Sequence, residues 1–506
     1  MSMSTEYKRR GHLLLSTVLL LVAASAIAVP PLPPGPKELQ AVTATKSEVR
    51  LRWTAVSGAT AYVVERGVQQ TFTALATVQK PEAADTKITP FGTYRYHVRA
   101  KLPQGLSAPS NTVTVGPPPT GFSVPVPAPA GREKDFGWYV SLGLNTNEDP
   151  VIAYVFNDPN KDTNPDDSVL CAVGWDRARY RWRPPFSIDT VGQTDVNPGN
   201  QVAMARDTGT NSLGIVYQKA NSEIRLALSD DGGLTWRTEQ VHQADKNVVS
   251  LPMLAMHNGS ISVAYYHQYN GIRYASRQAG AKAFESALLP LLPGTQVKRP
   301  LPPAVALDSE GRPGVLYWLQ STATENQQRY NVTLAYWRPG EKQAVKVTDS
   351  RNQQNDKAAL SLAYFGNKPR ATFVLHRDDR YDDTMWASQS DDGVAWTEPV
   401  LIPREPQDVW SQPVSLAIDA IGNAAVATPI QSAYGKPKIG RPKLLRSKDL
   451  RTWTITSPDP ANALNLGIST WYTSLRFISI NKLYLAFTSS QTESRLKAGL
   501  VFWREP

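Results

Sequence analysis

The chain reads as all-β: a segment of short alternating strands followed by a β-propeller. Three observations predict this. Ser229-Asp230-Asp231-Gly232-Gly233-Leu234-Thr235-Trp236 fits the pattern Ser-x-Asp-x-Gly-x-Thr-Trp, and shorter relatives recur at Ser390–Trp396 and Ser447–Trp453. An Asp with a Gly two residues later suits a tight turn, because the carboxylate bonds nearby backbone N–H groups and Gly tolerates positive φ. From about Phe136 onward, an apolar strand, a Gly or Asp turn and an aromatic-ended strand recur roughly seven times, at a period of about 45–55 residues. Residues 37–116 instead alternate apolar and polar side chains over short runs.

Lys8, Arg9 and Arg10 precede an apolar run from Leu13 to Val22, and Ala26-Ile27-Ala28 offers an A-x-A cleavage site. Residues 1–28 are therefore expected to be a secretory signal peptide, with no membrane span after its removal. The single Cys171 excludes an intrachain disulfide and is expected to be buried on a strand. Export without disulfides points to a bacterial envelope, periplasmic or extracellular protein that relies on a large core. Formal charge is +10, and loss of Glu6, Lys8, Arg9 and Arg10 with the leader leaves +8. That excess favours anionic partners such as acidic glycans, lipopolysaccharide or the cell surface. The bases are scattered and no nucleic-acid motif is present, which argues against nucleic acid.

Residues 29–36 are proline-rich and read as an extended spacer. Strands follow at Val49–Trp53, Ala61–Arg66 and Tyr94–Ala100. With Trp53 on an early strand, Tyr62 in the next, Gly92-Thr93-Tyr94 before the Tyr96/Val98/Ala100 alternation, and the closing Ser107-Ala108-Pro109-Ser110-Asn111, residues 37–116 resemble a fibronectin type III domain. The resemblance implies a β-sandwich in which Tyr94 ties its hydroxyl to backbone. Pro117-Pro118-Pro119 and Pro125-Val126-Pro127-Ala128-Pro129 mark a linker over 117–135.

Residues 136–506 are expected to form the propeller, with seven blades, or six if the first and last units are parts of one. Strand pairs are visible at Val305–Leu307 with Val315–Trp318, and at Leu416–Ile418 with Ala424–Ala427. The last unit, Leu475 to Trp503, lacks a fourth strand, which Gly121-Phe122-Ser123-Val124 is placed to supply by closing the ring between the two ends of the propeller. The recurrent turn is similar to the Asp-box of sialidases and related propellers. That resemblance implies structural roles for Ser229, Asp231, Gly233, Trp236, Ser390, Asp392, Trp396, Ser447, Asp449 and Trp453, on the outer turn between third and fourth strands. Sialidases also carry three arginines, a Tyr/Glu pair, an acid/base Asp and a Phe-Arg-Ile-Pro-like opening motif. The first unit here begins Phe136-Gly137-Trp138-Tyr139, and Arg299-Pro300, the nearest fragment, falls in mid-ring. This departure argues against sialidase activity.

In a four-stranded blade, the loops after strands two and four open on the face opposite those turns. They offer His267, Tyr269, Trp318, His376, Arg377, Asp378 and Asp379 after second strands, and Arg299, Trp410, Trp471 and Tyr472 between blades. Aromatic rings, Arg and amides suit a glycan: rings stack on apolar C–H faces while polar groups bond hydroxyls. Asp158, Asp378, Asp379, His376 and His267 are the candidate catalytic residues for an alternative, unconventional glycoside hydrolase or lyase. Asp158, Asn160, Asp162, Asn164 and Asp166 place oxygen ligands at every second residue, a spacing open to Ca²⁺, although Thr163 replaces the expected Gly and Val169 the closing Glu. The expectation is an exported binding protein whose propeller mouth holds a glycan or cell-surface protein without sialidase activity. A structural assembly protein of the envelope is a second alternative.

Overall fold

A computed structural model describes residues 31–68, 71–127, 138–157, 168–191, 202–244, 249–268, 270–297, 301–322, 330–353, 359–377, 382–404, 408–410, 415–428, 430–432, 442–458, 469–490 and 499–506. The described residues form strands and turns, and no helix among them is long and apolar enough to cross a membrane.

The N-terminal unit is a β-sandwich. One sheet joins Lys37–Ala44, Val49–Thr54 and Glu82–Asp85; the other joins Thr71–Val78, Ala61–Val68 and Tyr94–Leu102, with Val113–Val115 at its far edge. Strict alternation builds it: in Val49–Thr54 every second side chain is buried and the rest face solvent. Leu51, Trp53, Tyr62, Val64, Tyr96 and Val98 fill the space between the sheets. Trp53 and Tyr62 meet edge to face at 5.4 Å. The Tyr94 hydroxyl accepts the Thr89 backbone N–H at 2.9 Å, the tie expected of it.

Seven antiparallel sheets follow among the described residues, five of four strands and two of five. Their innermost strands are Trp138–Leu144, Ala203–Arg206, Val249–His257, Ala304–Leu307, Leu360–Phe365, Ser415–Ile418 and Ser469–Ser479, defining blades 1 to 7. Central strands are buried on both faces because each blade lies between two others; Ser260–His267 is buried at every position after its first. Such strands read as continuous apolar runs rather than alternating ones. Cys171 lies on one of them, in blade 1, at 1% exposure. Blade 7 takes its outer strand from the proline-rich segment before the ring: Gly121–Pro127 pairs antiparallel with Gly499–Arg504.

Turns between first and second strands carry a second set of aspartates that knit neighbouring blades. Asp207 in blade 2 accepts the backbone N–H groups of Gly209 and Thr210 in its own turn, then those of Asn258 and Gly259 in blade 3. Asp419 in blade 6 accepts from Ile421 and Asn423, and from the Asn481 N–H in blade 7. Asp308 in blade 4 holds Arg312 and Arg338, while the adjacent Ser309 N–H bonds Gly366 O in blade 5. All three are buried yet fully engaged, so a charge can sit there at low cost.

The sandwich rests on this same turn face. Arg177, 4% exposed, pairs with Asp149, 2% exposed, at 2.7 Å and donates to Pro90 O in the sandwich at 2.8 Å. Arg504 donates to Pro118 O and Phe91 O, and the Trp175 indole to Gly116 O. These contacts leave the opposite, mouth-side face clear. Replacing Asp149 by Asn would strand a buried guanidinium at the joint. The expected cost is about 3–5 kcal/mol, measurable as a lower denaturation midpoint in urea. Starting the chain at residue 119 keeps the outer strand of blade 7, whereas starting at 137 removes it. A sharp loss of cooperative melting is expected only in the shorter chain, read by circular dichroism.

Candidate functional site

Where the seven innermost strands converge they enclose a cavity of about 170 Å³ on the propeller axis. Every blade contributes to its wall. In blades 1, 3 and 7 the inner strand bulges at the cavity: pairing registers shift between Trp138 and Ser141, between Ser250 and Met253, and between Trp471 and Thr473. Tyr139 and Leu251 hold φ of 61° and 57° within the first two bulges. A bulge adds a residue to one strand and re-aims side chains, here those at the cavity wall.

Four serines line this wall, and each accepts a backbone N–H from the next blade. Ser361 takes that of Leu416 at 3.0 Å, and Ser415 that of Leu475 at 3.2 Å. Ser474 takes that of Leu142 at 3.0 Å, and Ser141 that of Met204 at 2.9 Å. The seam runs unbroken from blade 5 through 6, 7 and 1 to blade 2. In the same register, blades 2, 3 and 4 carry Ala203, Met253 and Ala304, which have no hydroxyl. A hydroxyl that accepts one bond still has its own proton to donate.

Two residues beyond Ser474 stands Arg476. The six other blades place Gly143, Ala205, Ala255, Ala306, Ala363 and Ala417 in that register, so small residues surround one long cation. The guanidinium donates to Leu475 O at 2.8 Å and reaches across blade 1 to Met204 O at 3.3 Å. Both acceptors are neutral, and no carboxylate pairs with Arg476 among the described residues. Deep enclosure pushes its pKa below the usual arginine range, while part of its surface stays open to the cavity.

Among the residues anticipated at the mouth, two are fully placed. Trp318 is 1% exposed and packs edge to face on Phe373 at 5.9 Å. It is core, not a stacking platform, because the inter-blade contact covers its faces. His267 is buried, with Nδ1 3.0 Å from Gln268 O and from Asn270 Nδ2. Its ring lies 5.6 Å from that of His242, a residue the sequence did not single out. Burial, then the nearby Arg273 guanidinium and His267 ring, pushes the His242 pKa down. His376, Arg377, Trp410, Trp471 and Tyr472 are placed only as strand backbone. Asp158, Asn160, Asp162, Asn164, Asp166, Tyr269, Arg299, Asp378 and Asp379 lie outside the described residues.

The three Ser/Asp/Trp turns occupy equivalent places, between third and fourth strands of blades 2, 5 and 6. Asp231 accepts the N–H groups of Leu234 and Thr235, the Thr235 hydroxyl and the Ser229 hydroxyl. Asp392 accepts from Ser390, Val394 and Ala395, and Asp449 from Ser447, Arg451 and Thr452. Gly233 and Gly393 adopt φ of 93° and 79°, which a side chain would strain. These residues fold corners far from the axis.

No family model matches the chain, and no curated protein does. Among solved structures, an ulvan lyase of polysaccharide lyase family PL25, bound to -[GlcA(1-4)Rha3S]-, is similar over 73% of this chain and 94% of its own, with TM-score 0.50 and 10% identity. A Hadza microbial sialidase aligns over 92% and 94%, with TM-score 0.41 and 11% identity. The Aleuria aurantia lectin in complex with Fucalpha1-6GlcNAc aligns over 64% and 96%, with TM-score 0.37 and 13% identity. At these identities the lyase likeness shows the shared propeller fold and nothing finer.

Two outcomes follow from this geometry. Burial alone would raise the Asp231 carboxyl, but its bonds from Thr235, Ser229 and Leu234 outweigh that and hold it below the ordinary carboxylate range. Its contribution is therefore present above about pH 4 and lost as pH falls through the lowered value. Asp231 is exposed, so solvent screening limits the cost of Asp231→Asn at pH 7 to about 1 kcal/mol, with the gap to wild type closing below about pH 4 in urea titrations. His242 has the opposite charge sense: a lowered pKa makes the fold bind protons less readily than the unfolded chain. Stability should fall as pH drops below about 6.5, and His242→Gln should flatten that slope in melting curves taken from pH 7.5 to 5.

Proposed function

We propose that the protein is an exported, non-catalytic binding protein whose axial mouth holds a glycan of the cell envelope. One observation carries this reading: inner strands of all seven blades bring four serine hydroxyls, one guanidinium and apolar carbons to a single cavity. Convergent donors set among apolar carbons suit a sugar, whose hydroxyls need partners while its C–H faces need contact. The ulvan lyase of the same fold was solved with an acidic sugar chain bound, which is compatible with this assignment. Further support is the net positive charge, which favours an acidic ligand.

In this reading the sandwich is a fibronectin type III spacer, on the Tyr94–Thr89 tie and the Trp53–Tyr62 contact, and the corner turns are Asp-boxes. The signal-peptide features of residues 1–28 direct the chain out of the cytoplasm. Labelled protein on a glycan array is the test. Saturable binding to a subset of acidic glycans is expected, without release of sialic acid from a fluorogenic sialoside. Binding to no glycan overturns the reading, and saturable sialoside cleavage replaces it with the hydrolase. An EDTA arm addresses Asp158–Asp166: loss of binding restored by Ca²⁺ would give that segment a metal role.

A further inference from the structure

We infer that the propeller axis is an oxyanion site, in which Arg476 and the hydroxyls of Ser141, Ser361, Ser415 and Ser474 bind one carboxylate or sulfate group. The anion is either free in solution or carried by an acidic sugar. For the carrier the inference rests on the glycan reading above; for the anion itself it rests on the cavity.

Three observations converge on it. The first is the break in register. Six blades place Gly or Ala where blade 7 has Arg476, so a small residue suffices for the inner strand to pack. A plug that only filled space would use Leu or Met, which bring no charge into an enclosed channel. The second is that no carboxylate among the described residues pairs with the Arg476 guanidinium. Its two partners among the described residues are backbone carbonyls, and an enclosed cation is stabilised fully only by an anion with matching hydrogen bonds. A guanidinium presents its N–H groups as a planar fork, which fits the paired oxygens of carboxylate or sulfate.

The third is the polarity of the four serines. Each Oγ already accepts a backbone N–H. Each keeps a proton to donate beside its remaining lone pair, and donors grouped with a cation suit an anion. A cavity of about 170 Å³ is well above the roughly 15 Å³ that a single water needs by the same measure, so a multi-atom anion has room. The four serine-to-backbone bonds stitch adjacent inner strands together, and the same bonds orient the donors, so the site is built by the fold.

Calorimetric titration of the mature protein tests this with three probes: sodium sulfate, an oligogalacturonate, and the methyl ester of that oligosaccharide, which has the same backbone without charge. Wild type is expected to bind sulfate and oligogalacturonate, and the ester at least tenfold more weakly. Arg476→Ala, which copies the residue of five other blades, should weaken sulfate and oligogalacturonate at least tenfold. Arg451→Ala, which removes an equal charge from an exposed corner turn, should change neither. If Arg476→Ala does not fold, Arg476→Lys serves instead: it keeps the charge but loses the fork, and the same probes should weaken several-fold. No binding of sulfate or oligogalacturonate by wild type overturns the site, as does binding unchanged by loss of Arg476. Array glycans bound equally well by Arg476→Ala sink this inference and leave the glycan reading standing. Arg476-dependent sulfate binding with an empty array does the reverse.

Discussion

A stack of twisted sheets arranged about an axis has two bare apolar faces until its last member meets its first. Exposed apolar faces invite association with other molecules, and the inner strands would splay without closure. This protein solves both problems with one pairing across almost the whole sequence: Gly121–Pro127 hydrogen-bonds to Gly499–Arg504, with Phe122 opposite Trp503. The strand supplied early in the chain completes the sheet made last. Blade 7 then presses against blade 1, and the Ser474-to-Leu142 bond links their inner strands. The cavity, the position of Arg476 and the docking of the sandwich through Arg504 all depend on that closure.

Two kinds of polar seam keep the closed ring in register. On the turn face, Asp207, Asp308 and Asp419 lie in alternate blades, 2, 4 and 6, and each helps tie its turn to the one that follows. On the axis, serines do the same between adjacent inner strands over four consecutive junctions. Flat apolar faces between blades supply most of the burial but little positional information, since one Leu–Val contact resembles another. Directional bonds to backbone N–H groups add that information, because a shift of one residue breaks them. The seam that sets register also lines the cavity, so packing and site are one construction in this fold.

The corner turns show how far a motif can be read. Asp231, Asp392 and Asp449 do what their spacing implies, folding their oxygens back onto backbone N–H groups two to four residues ahead. That interaction is local, so local sequence determines it. Trp318 marks the limit. A Trp at the end of a second strand reads equally as a sugar platform or as core, and only the arrival of Phe373 from the next blade decides for core. His267 is similar: its neighbour His242 comes from the outer strand of the preceding blade and is distant in sequence.

Arg476 was within reach of the sequence and was not seen there. Ser-Leu-Gly at 141–143, Ser-Leu-Ala at 361–363 and 415–417, and Ser-Leu-Arg at 474–476 are one repeated phrase with one changed letter. Its meaning depends on knowing that these strands face each other across an axis. Strand periodicity, turn chemistry, the recurrence of the repeat and the candidate closing strand belong to the sequence, because each arises from residues close together in the chain or from simple repetition. Which side chains share a cavity, which aromatic is covered and which cation has no carboxylate beside it among the described residues were decided only when seven separate segments met. Such proximity is set by the summed twist and closure of the ring, and no short stretch of chain contains it.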